Sequence, residues 1–253
     1  MHSIGTIQSL YRYPVKSMRG EQITSTQVEP YGFYGDRSHA FIDPSKTGWS
    51  RFITARKYPQ LLSYRAALLQ DGSETAFPSL SITHDQGESY TWDERFLQHM
   101  REQIREDITM EQHSPASSTL LAVDASSILI VTEASIRQME RLWGKPLDLL
   151  RFRPNIVVQT SDSTPFVETD WIGQQLQIGE GEDAVLLQID ESCERCVLIT
   201  IDPDTYQRDP SLLKTLHQER QAFFGVYASI VKTGRIRQDD ILRLHTTDHS
   251  PLK

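Results

Sequence analysis

Cysteine is almost missing from this 253-residue chain, which has only Cys193 and Cys196. Two thiols make neither a disulfide scaffold nor an iron–sulfur cluster held by four thiolates of the chain, so electrons for any redox chemistry must come from elsewhere. Long apolar runs are missing too: the longest, such as Ile128 to Val131, fall far short of a bilayer span. The opening Met1-His2-Ser3-Ile4-Gly5-Thr6 carries neither a cationic segment leading into an apolar stretch nor a small-residue cleavage site. A cytoplasmic address without a membrane partner is therefore expected. Positive charge is in deficit, with 26 Lys and Arg against 34 Asp and Glu and a formal charge of −8. That balance disfavours a broad grip on nucleic acid, so any anion site must be local. No internal repeat, heptad series or Gly-rich phosphate loop occurs, which argues against nucleotide hydrolysis and Rossmann dinucleotide binding.

What is present is ordinary globular material: 38% hydrophobic and 24% charged residues, enough to exclude disorder and to bury a core in one elaborate unit or two small ones. Short alternating segments punctuated by Gly and Pro read mainly as β. Strands are expected at Ile4 to Tyr13, Ile23 to Val28, Ala40 to Ile42, Leu62 to Leu69, Leu80 to His84 and Ser89 to Trp92, with a turn from Tyr31 to Asp36. Further strands are expected at Asn155 to Val158, Leu176 to Ile178, Val185 to Ile189, Val197 to Ile201, Val226 to Val231 and Ile241 to Leu244. Helical spacing of Phe96, Leu97, Met100 and Ile104 predicts a helix from Glu94, and Thr132 caps a second from Glu133 to Trp143 that Gly144 and Pro146 stop. A third runs from Ser211 to about Gln221. Many short strands without regular strand–helix alternation predict a mainly β fold with appended helices (α+β), a β-barrel core rather than a doubly wound sheet. The polar stretch Ser114 to Ser118 is the expected boundary between a region 1–113 and a region 119–253.

Cys193-Glu194-Arg195-Cys196 is the most reactive segment, because the thiolate is the form that attacks or ligates and Arg195 favours it. Its possible uses are a zinc site, a dithiol, two inert buried cysteines, or one thiolate on a soft metal carried in by a cofactor. Arg151-Phe152-Arg153-Pro154-Asn155 would aim two guanidinium groups to one side if extended, making an anion clamp or a pair of arginines satisfied by local acids. Tyr13-Pro14-Val15-Lys16-Ser17 and Gly35-Asp36-Arg37 each set a cation beside a turn, where backbone N–H groups can also face an anion. Asp202 and Asp204 could donate protons, but a turn explains them as well.

In this order, these fragments together with Asp-Pro-Asp-Thr at 202–205 resemble the MOSC family. The closer likeness, from Ile4 to Leu244, is to the subgroup with an N-terminal MOSC-associated β-barrel region, which includes the mitochondrial amidoxime-reducing component and its bacterial relatives. The resemblance implies a MOSC β-barrel core preceded by a β-rich N-terminal domain, and binding of the molybdenum cofactor, Mo-molybdopterin. It places the metal ligand at Cys196 and the cofactor contacts at Lys16, Ser17, Arg37, Asp124, Ser126, Arg153, Asn155 and Arg195. It further implies a reductase of small N-hydroxylated or N-oxide compounds fed by an external electron donor of ferredoxin or flavin reductase type, or a cofactor or sulfur carrier without turnover. In the family Gly usually follows Asp-Pro-Asp-Thr; here Tyr206 stands in that place.

Overall fold

The computed structural model describes residues 2–69, 76–117, 121–123 and 125–245. In chain order the elements are β1 (His2–Arg12), β2 (Glu21–Ile23), β3 (Ser25–Glu29), β4 (Gly32–Phe33), β5 (His39–Ile42), β6 (Tyr64–Leu68), β7 (Leu80–His84), β8 (Ser89–Tyr90), α1 (Glu94–Ile104) and β9 (Thr109–Gln112). Then come β10 (Ile128–Thr132), α2 (Glu133–Trp143), β11 (Ile156–Thr160), β12 (Gln175–Ile178), β13 (Val185–Glu194), α3 (Ser211–Arg220), β14 (Phe223–Lys232), β15 (Gly234–Arg237) and β16 (Ile241–His245).

Seven strands close a barrel in the order β11, β10, β14, β13, β12, β16, β1, with β1 returning to β11. Every barrel pairing is antiparallel except β10 with β11, whose parallel register Ile130↔Ile156 requires the crossover that α2 supplies. Period-2 alternation fills the inside with Ile7, Ile128, Ile130, Ile156, Val158, Leu187, Ile189, Val226 and Ala228, all fully buried. The intervening Leu129, Val131 and Val157 face outward and, together with Phe224 of β14, form a cluster with Met139 of α2 and Leu212 and Leu216 of α3. A separate apolar cluster joins Phe96, Leu97, Met100 and Ile104 of α1 to Ala66, Leu80 and Ile82 of the β6–β7 pair, with Val15, Met18, Phe41 and Ile201. The β-rich fold with appended helices is as the sequence predicts.

Two helices match the sequence reading residue for residue. The Asp93 carboxylate accepts from Phe96 N–H (3.0 Å) at the start of α1, and Thr132 Oγ1 accepts from Ser135 N–H (3.1 Å) at the start of α2, each satisfying a donor that the first turn leaves orphaned. Gly144 ends α2 in the left-handed conformation (φ 73°).

One expected strand is not there. Val197–Thr200 forms a 3-10 turn, with Ile199 N–H on Cys196 O and Thr200 Oγ1 donating to Val197 O at 2.7 Å. Packing of Ile199 against α3 overrides the β-branched propensity of the run. The 10-residue β13 runs past Ile189 to Glu194 instead, so Cys193 lies within the strand and Cys196 follows its end.

Candidate functional site

A cavity of about 560 Å³ lies against the outward face of the barrel, where Leu129 of β10 and Tyr227 of β14 form part of its wall. Its volume lies within the range of small-molecule and cofactor sites. Lys16, Ser17, Arg37, Ser126, Arg153, Asn155, Arg195 and Cys196 all line it, so the structure gathers every expected site residue among those described. Asp124 lies outside the described residues. They converge because the loop after β1, the turn before β5, the segments preceding β10 and β11, and the end of β13 all open onto one place.

Three of these residues hold left-handed backbone: Ser17 (φ 67°), Arg37 (φ 50°) and Arg153 (φ 54°). The conformation costs an L-residue roughly 1–2 kcal/mol, strain that persists only where the surroundings over-determine it and that concentrates at functional sites. Here the surroundings are explicit. Arg37 N–H donates to Tyr13 O (2.8 Å) and Arg153 N–H to Leu150 O (3.1 Å). The Arg37 side chain donates through Nη1 to Asp36 and to Asn155 Oδ1 (3.4 Å), and Arg153 Nη1 donates to Met18 O (2.7 Å). The Asn155 amide is fully engaged: Nδ2 donates to Asp36 Oδ2 (3.1 Å) and Tyr11 O (3.3 Å), while Oδ1 also accepts from Leu129 N–H (3.2 Å). Lys16 is buried, donates Nζ to Ala122 O (2.7 Å) and lies over the Trp49 and Phe52 rings at 4.7 and 5.1 Å. Ser126 Oγ donates to Ala228 O (3.2 Å).

At the other pole Cys196 is exposed while Cys193 is buried. Arg195 reaches across with Nη1 on Cys193 Sγ (2.7 Å) and Nη2 on Phe152 O (2.6 Å), and its buried Nε has no partner among the described residues. Arg56 Nη1 stands 3.9 Å from Cys196 Sγ, and its backbone carbonyl accepts from Arg208 Nη2 (2.6 Å). Burial pushes the Tyr13 phenol above its ordinary value against the pull of the Arg153 and Arg37 charges, so it stays protonated.

The expectation of an extended Arg151–Arg153 clamp is corrected. Arg151 ends a 3-10 turn and pairs with Asp202, so only Arg153 reaches the cavity. Asp202 organises its own loop: Oδ1 accepts from Asp204 N–H (3.0 Å), Thr205 N–H (2.8 Å) and Thr205 Oγ1 (3.0 Å). Neither Asp202 nor Asp204 is among the residues lining the cavity. Tyr206 takes φ 60°, the left-handed geometry suited to glycine, with its N–H on Asp202 O (2.9 Å). Sequence reasoning missed Arg56, Glu191, Ser192, Glu194 and Tyr227 on the wall; for Arg56 the only signal was a pair of cations, Arg56-Lys57, just before Pro59.

The donor set suits a phosphorylated, metal-bearing ligand. Lys16, Arg37, Arg56, Arg153 and Arg195 put five cations on the wall of one cavity in an acidic chain, with an exposed soft thiol and an orphaned guanidinium N–H among them. Among the described residues there is no cluster of His, Cys, Asp and Glu able to hold a metal by itself, and no helix long and apolar enough to cross a membrane.

The chain is 26% identical to mitochondrial amidoxime reducing component 2 of Macaca fascicularis over 95% of its own length and 83% of the relative's. Over 44% of its length it is 39% identical to the molybdenum cofactor sulfurase of Drosophila grimshawi, of which that match covers 14%. The fold aligns with the crystal structure of the YUAD protein from Bacillus subtilis across 96% of both chains at 13% identity, with a TM-score of 0.51. The MOSC N-terminal beta barrel domain matches residues 4–117 and the MOSC domain residues 117–243, and the chain belongs to the MOSC family.

Proposed function

We propose that this protein binds Mo-molybdopterin in the cavity and reduces N-hydroxylated or N-oxide compounds with electrons from a separate donor protein of ferredoxin or flavin reductase type. The observation that carries the reading is the convergence of exposed Cys196 with Lys16, Ser17, Arg37, Arg153 and Arg195 on one cavity. When bound, the cofactor supplies the two-electron chemistry that removes oxygen from a substrate nitrogen. The chain's part is to hold and orient. Cys196 Sγ is the one protein thiolate for molybdenum, with Arg56 Nη1 3.9 Å from it. Lys16, Arg37 and Arg153 hold the terminal phosphate, with Ser17 and Ser126 as shorter polar contacts, and Arg195 lies beside the metal ligand. Asn155 acts by fixing Arg37 rather than by reaching the ligand, since its amide is spent. Asp124 keeps its place as a pterin contact on the family resemblance alone. Likeness to amidoxime-reducing components over nearly the whole chain supports the reductase reading.

The alternative, a carrier of molybdenum cofactor or its sulfur, draws on the higher identity to a molybdenum cofactor sulfurase over the shorter match. Metal analysis of protein from a cofactor-competent host, followed by benzamidoxime reduction with reduced viologen, separates the two. Molybdenum with turnover supports the reductase; molybdenum without turnover on any N-hydroxylated substrate supports the carrier; a metal-free protein from that host contradicts both.

A further inference from the structure

Tyr13 is almost wholly buried, and its ring has no part in the chemistry above, yet the guanidinium groups of both left-handed arginines lie on it. Arg37 Cζ is 4.5 Å from the ring centroid and Arg153 Cζ 4.2 Å. The ring is fixed at several points. Its hydroxyl donates to Pro154 O (3.1 Å), its N–H to Asp36 Oδ1 (2.6 Å), and its carbonyl accepts from Arg37 N–H (2.8 Å). Tyr13 is thereby tied to Asp36 and Arg37 on one side and to the residue after Arg153 on the other. Two like charges gathered on one cavity repel; Asp36 pairs with Arg37, and the electron-rich aromatic ring offsets the repulsion for both guanidinium groups without adding a further carboxylate to the cavity.

We propose that Tyr13 is a positioning residue: its ring face holds Arg37 and Arg153 together as one anion clamp, so that the strength of the clamp depends on the electron density of the ring. This rests on the reading that the cavity receives a phosphate. A purely structural Tyr13 would depend only on the shape and volume of the ring.

The test uses full-length protein from a host unable to make the cofactor, with pyrophosphate as probe and binding measured by calorimetry. Tyr13→Phe keeps the face and loses only the bond to Pro154, and binding within about twofold of wild type is expected. Replacing Tyr13 by phenylalanines of increasing fluorination keeps the shape and empties the face, and affinity should fall stepwise, by about tenfold for the trifluorinated ring. Tyr13→Leu should lose at least as much. Equal affinity across the fluorinated series overturns the proposal, as does a Phe variant that loses as much as the Leu variant. If the Leu variant does not fold, the fluorinated series decides alone. Pyrophosphate binding by wild type that is indifferent to fluorination refutes the role of Tyr13 and leaves the phosphate cradle standing; no binding by wild type refutes the cradle, and the proposal with it.

Discussion

Cys196 is open to the cavity and Cys193 is sealed in the cluster between the barrel and its helices, with Arg195 Nη1 and Glu194 O at its sulfur. The two sulfurs therefore answer differently to the same change. Cys196→Ser should lower bound molybdenum by at least about tenfold, the scale on which changes at a metal's ligands act. Cys193→Ser should keep the metal and lose about 1 kcal/mol of stability, because the smaller, more polar hydroxyl fills its place in the apolar cluster less well even with Arg195 beside it; molybdenum analysis and denaturant melts of both variants check this. The site was legible at residue scale where a motif kept a fixed spacing, as with Lys16-Ser17 and Cys196. It was illegible where the fold supplied the neighbour. Arg56 reaches Cys196 across 140 residues, and the adjoining Lys57 is the one feature of its sequence surroundings that hints at it. Arg151 and Arg153 look equivalent in sequence, and only a 3-10 turn and a left-handed residue send one to Asp202 and the other to the cavity.

Elements were legible where local chemistry and tertiary packing agree. The caps Asp93, Thr132 and Gly144 set the ends of α1 and α2. The run after Cys196 was misread because β-branched composition is a weak guide once a helix packs on it, and β9 escaped because its residues are only partly buried and do not alternate. Thr132 Oγ1 caps α2 and also contacts the buried Glu168 carboxyl at 3.1 Å. Thr132→Ala should therefore cost about 1–2 kcal/mol, read from thermal or urea unfolding. At Gly5 in β1 a Cβ would sit 2.1 Å from Gln159 O on β11, the pairing that closes the barrel. Gly5→Ala should destabilise by at least about 2 kcal/mol, whereas Gly173→Ala, with nothing within 4 Å, meets no clash and should cost only the roughly 1–2 kcal/mol of its left-handed backbone (φ 83°) in the same melts.

In the whole molecule the cavity depends on segments far apart in sequence, and residues around 13–17, 35–37 and 56 meet others around 152–155 and 191–196. Stability of that assembly should depend on pH through His39, which lies beside the Lys16 loop, accepting Lys16 N–H at its carbonyl. Burial, with the His113 charge adding to it, lowers His39 to about 4. The folded state thus binds fewer protons than the unfolded chain between about pH 4 and pH 6.5. The stabilisation from keeping His39 neutral is complete above pH 6.5 and is lost as pH falls toward 4, a change on the order of 3 kcal/mol. Burial raises Glu168, which titrates in the opposite sense. Urea midpoints of wild type and His39→Gln at pH 7 and pH 4.5 isolate the histidine part; the variant should show the smaller loss on acidification.

The central claim is that Cys196 ligates molybdenum in this cavity. X-ray absorption at the molybdenum edge, on wild type and Cys196→Ser purified from a cofactor-competent host, tests it most directly. Beyond the two sulfurs of the cofactor's own dithiolene, the account predicts one further sulfur scatterer in wild type that disappears in whatever metal the variant retains, with Cys193→Ser unchanged. Identical spectra for wild type and Cys196→Ser would contradict it.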